Sequence, residues 1–298
     1  MFPFWSQLMA AFRVRLNPSQ TSFVTFLLLL LRGTLPSNVT AQMLPEREVE
    51  VFLTPDSPTL NLEIPPLADP GKYLPEVPKS SPTLVDIPAQ FRGQTIYRAT
   101  LPNNEKVIAL TFDDGPWPDS IRILDILREN DVKATFFWLG QNVPRYPEIV
   151  RRTIAEGHAI GNHTWNHRYP NMDAATAAAE VDNTAAKIFQ ETGVRTVLFR
   201  PPGGYLNNGV AAYAKRKNYA VVMWSIDTKD YLQPAAKTLA DRVIRQAHPG
   251  AIVLMHDGGG SRRRTVEALP MIIQRLRQQG YRFATVQELL AIQAGTLR

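Results

Sequence analysis

The sequence predicts an α/β domain built on a parallel sheet covered by helices. Three observations predict it. From about Tyr97 to Ile292, short apolar runs rich in strand formers alternate with segments of helical period. Pro and Gly punctuate those segments where helices start and stop. The ionisable residues gather just after the apolar runs, at what would be one end of a parallel sheet. Seven such units could close into an imperfect barrel or stay open and doubly wound. In either case function belongs at the C-terminal ends of the strands.

Residues 106–112 (KVIALTF) read as the first strand. Residues 118–128 are helical by spacing, with Ile121, Leu124, Ile126 and Leu127 apolar. A strand follows at 134–139, a helix at 147–156 and a strand at 158–163. Residues 173–192 form a long alanine-rich helix that Gly193 is well placed to stop. Strands at 196–200, 219–225 and 251–256 alternate with helices at 207–217 and 234–246. A helix at 265–279 is stopped by Gly280, a last strand covers 281–286, and 287–292 is a final turn or helix.

Upstream the chain changes character twice. Arg13 and Arg15 precede an apolar stretch at 23–31, and Val39-Thr40-Ala41 places small or modest residues where an export peptidase reads. Residues 1–41 are therefore expected to be a signal peptide or an uncleaved signal anchor. The apolar stretch is short for a spanning helix, which needs about 20 residues. Residues 42–96 are expected to be a linker. Ten prolines fall between 42 and 90, each lacking an amide donor and pushing its predecessor out of the helical region. Short strands could still form at 49–53 and 60–64. The expected setting is outside the cytoplasm, in the cell envelope, periplasm or medium, with membrane contact only through the N-terminal segment.

The chain has no cysteine, which excludes a disulfide framework and a thiolate metal site. Its net charge is +6, from 33 Lys and Arg against 27 Asp and Glu. The positive residues are scattered, with no run longer than Arg262-Arg263-Arg264, so nucleic acid is not an expected partner.

Five strand ends carry the chemistry. The first strand runs into Asp113-Asp114-Gly115-Pro116, the third into His163-Thr164-Trp165-Asn166-His167, and the fourth into Arg200-Pro201-Pro202-Gly203-Gly204. The fifth meets Asp227-Thr228-Lys229-Asp230-Tyr231 and the sixth ends in His256-Asp257. His163 and His167, at i and i+4, would project from one face of a helical turn and converge on one ion. A carboxylate completes a three-residue set. The Gly115-Pro116 turn lets one of Asp113 and Asp114 bind while the other stays free as a base. Such a set, with open positions, suits zinc hydrolysis and equally a non-haem iron oxygenase. Arg200 could fix the direction of a neighbouring carboxylate, or form a surface ion pair. Gly203-Gly204 leaves backbone amides uncovered for an oxyanion. Asp230 could orient His256, which taken alone is more often a satisfied rim group. His158 and His248 fall at strand starts and are read as structural.

Together TFDDGP, HTWNH, RPPGG, DTKDY and LMH resemble, in order, the five motifs of the polysaccharide deacetylase family with the NodB-homology domain, carbohydrate esterase family 4. The similarity covers residues 98–293. It implies a distorted (β/α) barrel over residues 97–293 and an N-deacetylase that hydrolyses acetyl groups from a polysaccharide. It also implies roles. Asp113 is similar to the catalytic base, and Asp114, His163 and His167 to the metal ligands, with zinc the usual cofactor. Arg200 would hold Asp113, and Asp230 would pair with His256, the general acid. The Gly203 amide would contact the oxyanion, and Leu254 would line the pocket for the acetyl methyl.

Three positions depart from the family pattern. Lys229 and Tyr231 stand where Arg and Trp are common, which changes the packing against the sugar. Gly203 stands where an aromatic is frequent, a ring that Tyr205 could partly replace. No departure removes a ligand, acid or base. The expected substrate is peptidoglycan or a chitin-like polymer, taken by a monomer. The alternatives are an O-acetyl (xylan-type) esterase and a non-catalytic carbohydrate-binding protein of the same fold. The oxygenase usually sits on a double-stranded β-helix, which the α/β alternation contradicts.

Overall fold

The structure, a computed structural model, describes residues 10–15, 39–44, 48–53 and 86–297. The chain divides into two units, Met1–Lys72 and Tyr73–Arg298. In the first, β1 (Ala10–Arg15), β2 (Val39–Leu44) and β3 (Glu48–Leu53) form an antiparallel sheet with β3 in the middle. The expected strand at 49–53 is present as β3. The apolar stretch at 23–31 and the expected strand at 60–64 lie outside the described residues. Among the described residues, no helix is long and apolar enough to cross a membrane.

The second unit holds β4 (Thr95–Ile96), β5 (Val107–Asp113), β6 (Thr135–Trp138), β7 (Ala159–Asn162), β8 (Leu198–Phe199), β9 (Ala220–Val222), β10 (Ile226–Asp227), β11 (Ile252–His256) and β12 (Arg282–Phe283). Its helices are α1 (Pro118–Glu129), α2 (Pro147–Ala155), α3 (Ala174–Thr192), α4 (Val210–Arg216), α5 (Ala236–Gln246), α6 (Arg263–Gln278) and α7 (Val286–Gln293). The strands pair in the order β10-β11-β5-β6-β7-β8-β9-β4, with β12 also on β5. Every pair is parallel, so all C-terminal ends lie at one end of the sheet.

Connectivity forces this sheet to curl. β9 and β10 stand six strand steps apart in the pairing order, about 29 Å if the sheet were flat. Only Met223, Trp224 and Ser225 join them, and that link reaches about 14 Å at most. The sheet therefore bends round until its ends approach, a distorted (β/α) barrel. The Ser225 amide donates to Ile252 O (3.1 Å), and Arg98 forms an isolated bridge with Ala251, so both ends meet near the start of β11.

All seven residues of β5 are buried. They alternate between two cores, as a strand covered on both faces must. Ile108, Leu110 and Phe112 join the layer under α1, α5 and α6, with Leu124, Val243 and Ile273. Val107 and Ala109 join the inner core, with Phe137, Leu198, Ile252 and Leu289. The same alternation carries Thr111 and Asp113 inward, which aims the last residue of the strand at the barrel mouth. Around the sheet, Asp173 caps α3 through the Thr176 amide (2.7 Å), and Gly193 ends it in the left-handed conformation (φ 70°), as its sequence predicts.

Three boundaries differ from expectation. β4 lies in the stretch read as linker, and Ile87, Phe91 and Ile96 are buried in the inner core, upstream of Tyr97. The run expected as one strand at 219–225 ends early, and the chain then enters a second strand, β10, at the other end of the sheet. The last strand is only two residues long, because Thr285 begins a capping box with Glu288 and turns Val286 into helix.

Gly161 on β7 faces Phe137 on β6, and a methyl there would collide with the Phe137 ring. Gly161→Ala is expected to lower stability by about 1–3 kcal/mol, the usual cost of overpacking, read as a lower denaturant midpoint.

Candidate active site

Asp113 is 3% exposed, and its Oδ1 accepts a hydrogen bond from Arg200 Nη1 (2.7 Å). Arg200 leaves the end of β8 and is fully buried, so the surface ion pair is ruled out. Its Nη1 also donates to Thr111 Oγ1 (2.8 Å), its Nε to Val222 O (3.0 Å) and its Nη2 to Met223 O (3.1 Å). The guanidinium lies over the Phe137 ring, 4.1 Å from the centroid.

Asp114 does not continue the strand. Its φ of 75° turns it out of β5, so the residue's own left-handed conformation, rather than the Gly115-Pro116 bend, separates the two carboxylates. Asp114 Oδ1 lies 3.5 Å from His163 Nε2 and 3.2 Å from His167 Nε2. It is buried and forms no hydrogen bond. Burial would raise this carboxyl; His163, with His256 and His167, outweighs burial and holds it well below the usual carboxylate range.

The two histidines do converge, although not on a helical turn. Residues 163–167 form a loop in which Thr164 (φ 68°) and His167 (φ 57°) are left-handed. Buried Glu180 on α3 holds the loop. Its Oε2 accepts the Trp165 and Asn166 amides (2.8 Å each), and its Oε1 accepts Asn166 Nδ2 (3.1 Å). His163 Nδ1 donates to Arg200 O (2.7 Å), which leaves Nε2 as the free nitrogen facing Asp114. Burial, then His163, draws the His167 imidazole down to about 4, so the ring is neutral at neutral pH and has a lone pair to offer.

These three residues fit a divalent ion. The donor atoms lie within 4.8 Å of one another. Tetrahedral ligands about 2.0–2.1 Å from zinc stand about 3.3 Å apart, close to the two Asp114 distances. An ion would also satisfy the orphaned Asp114 oxygen.

On the neighbouring strand, His256 pairs in register with Asp113, and Leu254 with Thr111. Both therefore face inward beside the first motif, Leu254 as a buried wall. Asp230 is 1% exposed; its Oδ1 accepts His256 Nδ1 (2.7 Å), and its Oδ2 accepts the His256 amide (2.8 Å) and Thr265 Oγ1 (2.7 Å). Burial pulls the His256 imidazole down, but Asp230, aided by Asp113 and Asp114, lifts it to about 9.

The rim is aromatic. Tyr231 meets His256 edge-on at 5.6 Å, and its hydroxyl donates to Asp227 Oδ2. On the other side His167, Tyr169 and Tyr205 stack edge to face at 5.1 and 5.7 Å. Gly203 takes φ 59°, and a Cβ there would stand 2.8 Å from Tyr169 and 2.9 Å from Tyr205. The place of the missing side chain is thus filled by two rings. His158 is buried at the opposite strand ends, where its Nδ1 accepts the Ala134 amide (3.1 Å), a structural contact.

Sequence reasoning missed Tyr169, Glu180, Asp257 and Arg262. Tyr169 follows His167 by two residues and Asp257 adjoins His256, so both were in sight. Glu180 reads only as one polar residue of a helix. Asp257 is fully buried, and its carboxylate accepts the Gly115 amide (3.1 Å), Ser120 Oγ (2.5 Å) and Trp138 Nε1 (3.2 Å). Burial pushes it up to about 7 despite those donors.

Comparison with known proteins gives consistent matches. Residues 100–222 match the family described as polysaccharide deacetylase. A peptidoglycan-N-acetylglucosamine deacetylase of Bacillus cereus is 46% identical over 194 residues, covering 64% of this chain and 91% of the relative. A solved peptidoglycan N-acetylglucosamine deacetylase, bound to 4-naphthalen-1-yl-N-oxidanyl-benzamide, superposes with a TM-score of 0.63 at 33% identity, over 67% of this chain and 94% of that one. A pseudoenzyme of carbohydrate esterase family 4 from Bacillus anthracis superposes at 0.61 and 33% identity, over 66% and 69%.

Glu180→Ala would leave two loop amides without their acceptor. It is expected to weaken Zn2+ binding about 10–100-fold, the usual effect of losing an outer support, measured by competition with a chromophoric chelator.

Proposed function

The chain belongs to the polysaccharide deacetylase family, and on that premise we propose that it is a metal-dependent peptidoglycan deacetylase, releasing acetate from N-acetylglucosamine. One observation carries the reading. At a single barrel mouth, a three-donor set with an orphaned carboxylate oxygen stands beside two separately held proton-transfer groups, Asp113 and His256, in register on adjacent strands.

Asp114, His163 and His167 would hold the ion, which when bound supplies Lewis acidity toward the acetyl carbonyl and an acidified water; the nitrogen and carboxylate donors suit zinc. Asp113 takes the proton from the attacking water, its carboxylate aimed by Arg200. The Gly203 amide donates to the oxyanion that develops on the carbonyl. His256, charged and held by Asp230, gives its proton to the departing sugar nitrogen. Leu254 walls the pocket for the acetyl methyl, and Tyr205 and Tyr231 flank the sugar. The leader-like residues 1–41 and the proline-rich stretch to residue 96 support an exported enzyme facing the envelope.

Metal-loaded protein should release acetate from purified peptidoglycan faster than from chitin oligomers or acetylated xylan. Chelation should abolish the activity and Zn2+ restore it. Asp113→Asn should keep the ion and lose about 10²-fold or more in rate. Absence of acetate from every polymer would support the non-catalytic carbohydrate-binding alternative, and release from xylan alone the O-acetyl esterase. Loss of the ion in Asp113→Asn but not in Asp114→Asn would reverse the two carboxylates.

A pH profile tests the acid. With its pKa near 9, His256 is protonated at neutral pH, and kcat should fall as pH rises through that value. Asp230→Asn removes the counter-charge, so the imidazole should titrate nearer its ordinary value of about 6.5. The alkaline limb should move down and the neutral-pH rate should drop. An alkaline limb that stays in place would remove His256 from the proton-donor role.

A further inference from the structure

The basic run Arg262-Arg263-Arg264 has no place in the mechanism above. Arg263 and Arg264 are exposed and both reach Glu267, at 2.7 and 2.9 Å. Arg262 differs: it is 6% exposed and turns back toward the site. Its amide donates to Asp119 Oδ2 (2.6 Å), its Nε to Gly258 O (2.5 Å) and its Nη2 to Gly259 O (3.2 Å). The same Nη2 stands 4.0 Å from Asp114 Oδ2, the oxygen turned away from the two histidines.

The loop between β11 and α6 is shaped to bring it there. The Asp257 and Gly258 amides both donate to Asp113 O (3.0 and 3.3 Å), and the Asp257 carboxylate takes the Gly115 amide. A Cβ on Gly258 would collide with the Asp114 carbonyl. Gly259 is left-handed (φ 74°), and a Cβ on it would lie 2.8 Å from Asp114 Oδ2 and 3.1 Å from Arg262 Nη2. Both glycines are therefore needed for the loop to pass this close. Asn142 Nδ2 donates to Asp114 O (3.0 Å) from the other side. Asp114, left-handed and out of the sheet, is thus held through its neighbours and its carbonyl, with the Arg262 guanidinium 4.0 Å from one carboxylate oxygen.

We propose that Arg262 is a positioning residue for Asp114: it engages Oδ2 so that Oδ1 alone faces the histidines, and the Asp257–Gly259 segment is the mould that admits it. This rests on reading Asp114 as a metal ligand. Two effects oppose each other. The guanidinium, in ionic reach at 4.0 Å, would draw the carboxylate's far oxygen toward itself, and it would also repel a cation. Orientation by outer partners is worth about 10–100-fold in metal affinity. The charge lies beyond the far oxygen, so we take orientation to prevail.

The test uses the full chain and three variants, Arg262→Met, Arg262→Lys and Gly259→Ala. Zn2+ and Co2+ affinities are measured by chelator competition, with the visible spectrum of the Co2+ form and the unfolding midpoint of the metal-free protein. Arg262→Met should bind both ions about 10–100-fold more weakly and shift the Co2+ bands, because the released Oδ2 can join Oδ1 at the ion. Arg262→Lys should fall between. Gly259→Ala should weaken binding with Arg262 still present. A folded Arg262→Met with wild-type affinity and spectrum, or with tighter binding, overturns the proposal. If that variant does not fold, unchanged affinity in both others overturns it. A wild-type chain that binds neither ion overturns the metal reading, and this inference with it.

Discussion

A guanidinium sealed in the middle of a barrel is the constraint on which the site depends. Taking such a charge out of water costs several kcal/mol unless its hydrogens find partners and its charge a counter-ion. Arg200 finds both, in one backbone carbonyl at the end of β9 and one in the link that follows, a threonine hydroxyl and Asp113 on β5, and the face of Phe137. Its own carbonyl then receives His163 Nδ1. One residue thus sets the direction of the group read as base and the free nitrogen of a group read as ligand. Four strand ends are bound to its position, and a barrel that failed to close would leave the charge unpaired.

His256, the group read as acid, is held on a separate support. Asp230 is buried like Asp113, but its partner is an imidazole where the partner of Asp113 is a guanidinium. An arginine stays charged at any working pH, whereas a histidine can give its proton up. On the proposed reading, two buried carboxylates thereby serve opposite ends: one is itself the reacting group, and the other keeps its neighbour loaded. The difference lies in the partner's chemistry, not in the carboxylates.

The alternation of strands and helices was legible because each long run has a clear period and a Pro or Gly boundary. β4 was not, since two residues carry no period, and β10 was not, since a strand's neighbours are set by closure. Asp113, Asp114, His163, His167, Arg200, Asp230 and His256 were all visible, because chemistry of that kind is conspicuous at strand ends. Their manner of support was not. The i, i+4 spacing of His163 and His167 suggested a helical turn, but two left-handed residues and Glu180 achieve the convergence through a loop. Glu180 and Arg262 come from distant stretches, and nothing in their local sequence marks them as facing the site. A gap at position 203 reads as a lost ring, although Tyr169 and Tyr205 occupy the space.

The pairing order also has a consequence in time. β5 is the strand on which Asp113 ends, yet its neighbour β11 is synthesised more than a hundred residues later. A growing chain holds both aspartates and both histidines by residue 167, but β5 has one edge open until residues 252–256 are made. Before then there is no wall at Leu254, no His256, and no anchor for the Asp113 carbonyl. The site is therefore incomplete through most of the chain's synthesis, and the last third of the molecule completes a set of groups laid down in the middle third.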